Sequence, residues 1–176
     1  MSTCPPDRRN DDHSPTLTAG RGEYLRYKRS RFTARLPLDR LYTRSHYWVQ
    51  DRGAGTWRVG FTRFAKRMLG DIVEMGFEVE VGAAVEKGQL IGWVEAFKAV
   101  ADVYCVTSGR LTGTNPALAG GPAAIDEDPD GEGWLYEVSG PAAEDWVDAN
   151  GYAGVLDERI DIMLGERDAQ HDSREG

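Results

Sequence analysis

The chain has 176 residues, 40% of them apolar, and a formal net charge of −8. That is enough for one ordinary core with tails, and a second, catalytic domain is not expected. The acidic balance opposes binding to phosphate backbones, but it is uneven: residues 1–46 hold ten Lys or Arg against five Asp or Glu, a net +5, and residues 47–176 hold eleven against twenty-four, a net −13.

Residues 1–23 are Pro, Asp, Arg, Ser and Gly with almost nothing to bury, and a disordered tail is expected there. Residues 24–40 interleave Arg26, Lys28, Arg29, Arg31 and Arg35 with Tyr27 and Phe32. That pattern occurs in nucleic-acid binders, a reading the remaining charge opposes. The expectation is an extended basic and aromatic arm lying along the acidic body or a partner. It buries so little that removing residues 1–40 should leave the rest folded. The body is expected over 41–165. Ser45 to Val49 and Thr56 to Phe61 read as strands. A short helix follows, with Thr62 as N-cap, Phe64 and Met68 on one face at i and i+4, and Gly70 as a left-handed stop. Val79 to Val85 and Gln89 to Val94 read as further strands around a Glu86-Lys87-Gly88 turn.

Beyond Thr107 come a turn and a strand to Asn115, a loop opened by Asn115-Pro116, and a small-residue stretch from Ala119 to Ala124 read as flexible. The acidic run from Asp126 to Glu132 leads into a last strand ending at Val138. It lacks the alternating ligand spacing of a calcium loop, and Pro129 and Gly131 mark it as a turn. Tyr152, Leu156, Ile160, Met163 and Leu164 recur at three- and four-residue steps, the signature of a helix packed on the sheets and stopped at Gly165. Residues 166–176 are expected to be a disordered tail.

Cys4 and Cys105 form no C-x-x-C pair, so the expected setting is reducing and cytoplasmic, with Cys105 a small buried residue. His13, His46 and His171 are too scattered for a metal site. No apolar run approaches the ~20 residues needed to cross a bilayer. The first residues lack the apolar region of a secretory leader, and Asp7, Asp11 and Asp12 count against a transit peptide.

The chemistry-bearing residue is Lys98. Leu90, Ile91, Trp93 and Val94 lead into it, and Val100, Val103, Tyr104 and Val106 lead out, both runs rich in β-formers. Two readings fit: a hairpin with Lys98 at its tip, or one long strand with a surface lysine. Turn chemistry does not choose, because Phe97-Lys98 supplies no Gly, Asn or Asp for a primed turn.

Glu95, Lys98, Ala99, Val100 and Asp102 resemble the lipoyl-attachment segment of H-proteins, the lipoate carriers of the glycine cleavage system. A second block, Gly60, Thr62, Ala65, Leu69, Gly70, Asp71, Ile72 and Val73, matches the same family, and the resemblance spans roughly Leu41 to Leu164. Biotin carriers resemble one another in placing methionines beside their lysine, and acyltransferase lipoyl domains usually place aspartate before it; Phe97 and Ala99 are neither.

The resemblance implies a mainly β fold, a flattened barrel or sandwich of antiparallel hairpins of the lipoyl/biotinyl-domain hybrid type, with a short internal helix and a C-terminal one. It implies lipoate joined covalently to Lys98, with Glu95 and Gly109 read by the lipoyl-attaching enzyme. The chain would be a carrier and not a catalyst. Its arm would take an aminomethyl group from glycine decarboxylase (P-protein), present it to the aminomethyltransferase (T-protein) and be reoxidised by dihydrolipoyl dehydrogenase (L-protein). Two residues depart from the pattern. Tyr47 stands where the family usually has a glutamate able to hold a cationic amine, and Phe97 replaces a small aliphatic residue. Two alternatives therefore stay open: a lipoyl carrier for other chemistry, such as sulfur or thiol transfer with a redox complex, and an unmodified scaffold that holds a partner through residues 24–44.

Overall fold

The structure is a computed structural model that describes residues 22–173; most of the first expected tail and the last three residues lie outside the described residues. In chain order the elements are β1 (Tyr24–Arg29), β2 (Phe32–Pro37), β3 (Leu41–Tyr42), β4 (Tyr47–Asp51), β5 (Thr56–Phe61), α1 (Arg63–Leu69), β6 (Ile72–Phe77), β7 (Ala84–Val85), β8 (Leu90–Ala96), β9 (Val100–Tyr104), β10 (Gly109–Thr114), a 3-10 turn (Pro116–Gly120), α2 (Ala123–Glu127), β11 (Tyr136–Ser139) and α3 (Ala149–Asp172).

Alternation of apolar and polar side chains along the strands gives each sheet one buried face. A six-stranded antiparallel sheet in the order β3-β4-β5-β11-β10-β7 faces a three-stranded sheet in the order β6-β8-β9. Val59, Phe61, Leu111, Tyr136 and Val138 from the first meet Ile72, Ile91, Val94 and Val103 from the second in one buried cluster. This is the hairpin sandwich expected from the resemblance, and it carries the lysine segment on its smaller sheet.

A second cluster lies outside that sandwich. β1 and β2 pair as a hairpin through a Ser30-Arg31 turn in which Ser30 takes φ 53°. Tyr27, Phe32 and Leu36 are buried against Tyr42, Trp48, Phe64 and the Tyr152, Leu156 and Ile160 face of α3. The expectation of an extended arm that buries little is corrected here. The alternating basic residues point one way and three large apolar side chains the other. Side-chain bonds join the two elements: the Tyr27 hydroxyl donates to Asp157 at 2.8 Å, and the Arg29 guanidinium grips both carboxylate oxygens of Asp161 at 2.8 Å.

Other departures are local. α3 runs through Gly165 to Asp172, so the helix does not stop where expected; Gly165 is exposed and keeps a negative φ, and a helical glycine costs only about 1 kcal/mol. The Val79 to Val85 strand shrinks to Ala84–Val85, because residues before it turn through Gly82 at φ 96°. The stretch from Ala119 to Ala124 read as flexible runs from the end of the 3-10 turn into the start of α2, which buries Ile125. On α1 the buried positions are Phe64 and Leu69, and Met68 is 39% exposed.

Candidate functional site

Lys98 occupies the exposed tip of the β8–β9 hairpin, in register Glu95↔Val100 and Val94↔Ala101. The tip needs no primed turn, since its amides are satisfied from outside. Phe97 N–H donates to the Asp71 carbonyl at 3.0 Å and Lys98 N–H to the Leu69 carbonyl at 3.1 Å, while Ala96 N–H closes the loop on Ala99 at 2.9 Å. Neither Phe97 nor Lys98 has a positive φ.

The corner that receives those amides is itself braced. Thr62 Oγ1 caps α1 by accepting from Ala65 N–H at 3.3 Å, and Gly70 ends it at φ 79°. Lys66 Nζ donates to the Gly70 carbonyl at 2.8 Å and pairs with Asp126 at 2.7 Å; Asp126 in turn accepts from Ile72 N–H at 3.2 Å. Asp126 belongs to the acidic run and acts there as a strut. Among the described residues no group of three or more His, Cys, Asp or Glu side chains is arranged to hold a metal.

Gly70 also makes room for the lysine. A Cβ at that position would lie 3.1 Å from Lys98 Cγ and 3.4 Å from its Cδ, so the methylene stem runs over a bare stretch of backbone. The amine enters no ion pair among the described residues. Around it the surface is apolar and acidic: Phe97 is 81% exposed, Val100 74% and Val73 55%, and Glu95 stands opposite Glu74 across β8 and β6 without a basic partner. Like charges in that position cost stability. An exposed, unpaired lysine with its stem cradled by a glycine fits acylation by a carboxylic cofactor, which removes the charge of a group that stabilises nothing here.

Of the expected site residues, Lys98 and Glu95 share this hairpin, and Gly109 does not. Gly109 opens β10 in the other sheet, where a Cβ would overlap the Ser139 carbonyl oxygen. Sequence reasoning took Gly70 as a helix stop and as part of the second family block, not as a cradle for the lysine, and did not find Lys66 or Asp126 as supports; the i, i+4 spacing of Lys66 and Gly70 was the available signal.

Tyr47 lines a cleft of about 280 Å³ with Tyr104, Cys105, Lys87, Asp145 and Trp146. It is buried, stacks on Phe61, and its hydroxyl accepts from Tyr104 N–H at 3.1 Å. Burial pushes its phenol up to about 12, so it stays neutral. The carboxylate of this cleft is Asp145, gripped by Lys87 at 2.6 Å. Cys105 is buried as expected, donating to the Thr107 carbonyl, and burial raises its thiol.

The model of the "Glycine cleavage H-protein" family matches residues 40–156. The chain belongs to the glycine cleavage H-protein family. It is 43% identical over 120 residues to the glycine cleavage system H protein of Corynebacterium jeikeium (strain K411), a match covering 66% of this chain and 94% of that protein. Against the glycine cleavage system H protein of Mycobacterium avium (strain 104) it is 42% identical over 130 residues, 70% of this chain and 98% of that one. The crystal structure of a glycine cleavage system H protein from Mycobacterium marinum superposes with a TM-score of 0.60 at 39% identity, covering 68% of this chain and 97% of the other. Members of this family are lipoyl carriers of the glycine cleavage system, and this H-protein-type chain is a carrier subunit, not a catalyst. The β1–β2 hairpin and all of α3 beyond residue 156 fall outside the family match.

Proposed function

We propose that Lys98 carries lipoate as an amide on its Nζ, and that the arm shuttles an aminomethyl group from glycine decarboxylase to the aminomethyltransferase before reoxidation by dihydrolipoyl dehydrogenase. The observation that carries the reading is the lysine itself: exposed, unpaired, its stem over Gly70 and its backbone pinned to Leu69 and Asp71. Bound lipoate supplies the sulfur chemistry, and this chain supplies position.

Glu95, unneutralised beside Glu74, is the charge a lipoyl-attaching enzyme would read. Gly109 has a sufficient structural reason in its approach to Ser139, and its role for that enzyme would be to keep β10 and β11 in register. Phe97 and Val100 give partner enzymes an apolar contact at the base of the arm. In the Tyr47 cleft the carboxylate is Asp145, which would meet a cationic amine by exchanging its 2.6 Å pair with Lys87.

Intact mass of the protein from its own source, beside a Lys98→Arg control, tests this. A lipoyl-sized addition present in the first and missing from the second is expected. An unmodified mass from cells that lipoylate other carriers would overturn it.

A further inference from the structure

A groove of about 170 Å³ lies where the Ser30-Arg31 turn, α1 and the distal half of α3 meet. Its floor is Phe32, Phe64, Met68, Met163 and Leu164. Its rim is Arg29, Arg31, Arg67 and Arg167. Arg29 is matched by Asp157 and Asp161, whereas Arg31, Arg67 and Arg167 enter no ion pair among the described residues. Arg67 lies over the Phe32 ring at 5.5 Å and donates to the Arg31 carbonyl, so the rim joins α1 to the hairpin turn.

Two features single this groove out. The first is place: its α1 wall ends at Met68, next to the Leu69 carbonyl that holds the Lys98 amide and the Gly70 backbone that cradles its stem. From Gly70 back to Phe64 is about 9 Å along the helix, a span shorter than a lipoyl-lysine arm. The second is chemistry. Thioether and aromatic groups suit a soft, apolar disulfide ring, and the volume is below the roughly 300–1,000 Å³ of sites for drug-sized ligands. The turn and the distal half of α3 lie outside the family match, so this chain adds two walls of the groove to an α1 wall that lies within it.

We infer that this groove is a resting site for the uncharged dithiolane end of the arm on Lys98, and that its arginine rim excludes an arm bearing a cationic amine. The inference rests on the lipoylation proposed above. An arm at rest there is released when it acquires positive charge, because an ammonium group meets three unpaired guanidinium groups at the mouth.

The chain has four methionines, which makes the test direct. Methyl-13C-methionine spectra of the full chain, in a Cys4→Ser background, are compared unmodified and after lipoylation by a lipoyl-attaching enzyme, with intact mass read on the same samples and peaks assigned by Met68→Leu and Met163→Leu. Lipoylation should shift the Met68 and Met163 methyls and leave Met75 in place. After reduction, capping the sulfurs with neutral iodoacetamide should keep the shift, and capping with cationic 2-bromoethylamine should abolish it. Unmoved Met68 and Met163 signals in a sample whose mass carries the lipoyl group would overturn the groove and spare the lipoylation. A shift that survives the cationic cap would overturn the exclusion by charge. A mass that never gains lipoyl would overturn both readings together.

Discussion

Two hairpins with two-residue tips both reach α1, and they are secured by opposite means. The β8–β9 hairpin is an integral part of the sandwich core through Ile91, Val94 and Val103, and its tip is fixed by main-chain bonds to the α1–β6 corner. The β1–β2 hairpin contributes nothing to that core. It is held from its flank by three large side chains and by ion pairs to α3, and it makes its own turn by placing Ser30 at a positive φ. The difference separates a presentation device from a buttress: the first holds one residue out from a pinned backbone, the second covers a surface.

Deleting residues 22–38 should break the comparison most severely. It strips Tyr27, Phe32 and Leu36 from the second cluster and uncovers Phe64 and Tyr152. With large core truncations costing about 2–5 kcal/mol each, the loss should exceed ~5 kcal/mol and lower Tm by roughly 10–20 °C. Hydrogen exchange should show α3 losing protection while β8 and β9 keep theirs below the melt. Equal loss in both regions would mean the two clusters are one cooperative unit.

Acid should act on the second cluster more gently. His46 sits against Phe64 and Tyr152 with its Nδ1 2.9 Å from the Tyr152 hydroxyl, and burial lowers its pKa to about 4. An unfolded histidine titrates near 6.5. As pH falls from about 6.5 to about 4 the unfolded chain takes a proton that the folded chain refuses, so stability present above 6.5 is lost through that window, by up to about 3 kcal/mol. The difference in Tm between the protein and His46→Gln, followed from pH 7.5 to pH 4.5, should shrink steadily; a constant difference would exclude the histidine. The smallest effect belongs to the ion pair at the seam. Arg29 and Asp161 are half exposed, so Arg29→Ala should lower Tm only slightly, and that effect should fade as salt is raised.

The first hairpin and the second were not equally legible in the sequence. Thr62, Gly70 and the two β-prone runs around Lys98 are local signals, and each names its own structure: a cap, a stop, a strand. Phe97-Lys98 carries no such signal because its turn is dictated by Leu69 and Asp71, nearly thirty residues earlier. Residues 24–37 misled for a related reason. Their alternation was visible, but the arginines and lysine on the outer face obscured the apolar inner face, and the partners that make burial worthwhile, Asp157, Asp161 and the Tyr152 stripe, lie some 130 residues away. Asp126 likewise read as one of many loop carboxylates until Lys66 and Ile72 were placed beside it.

The pinned tip has a kinetic consequence. With the amides of Phe97 and Lys98 tied to the α1–β6 corner, a lipoyl arm on Lys98, as proposed above, would swing from a stationary origin whenever it leaves the groove. On that proposal a docked enzyme would meet the arm's sulfurs at an effective concentration in the mM range, with no dilution from a wandering base. Encounters could then be brief and weak and still productive, and turnover would be set by how fast successive partners exchange at Phe97 and Val100, not by a search within each complex.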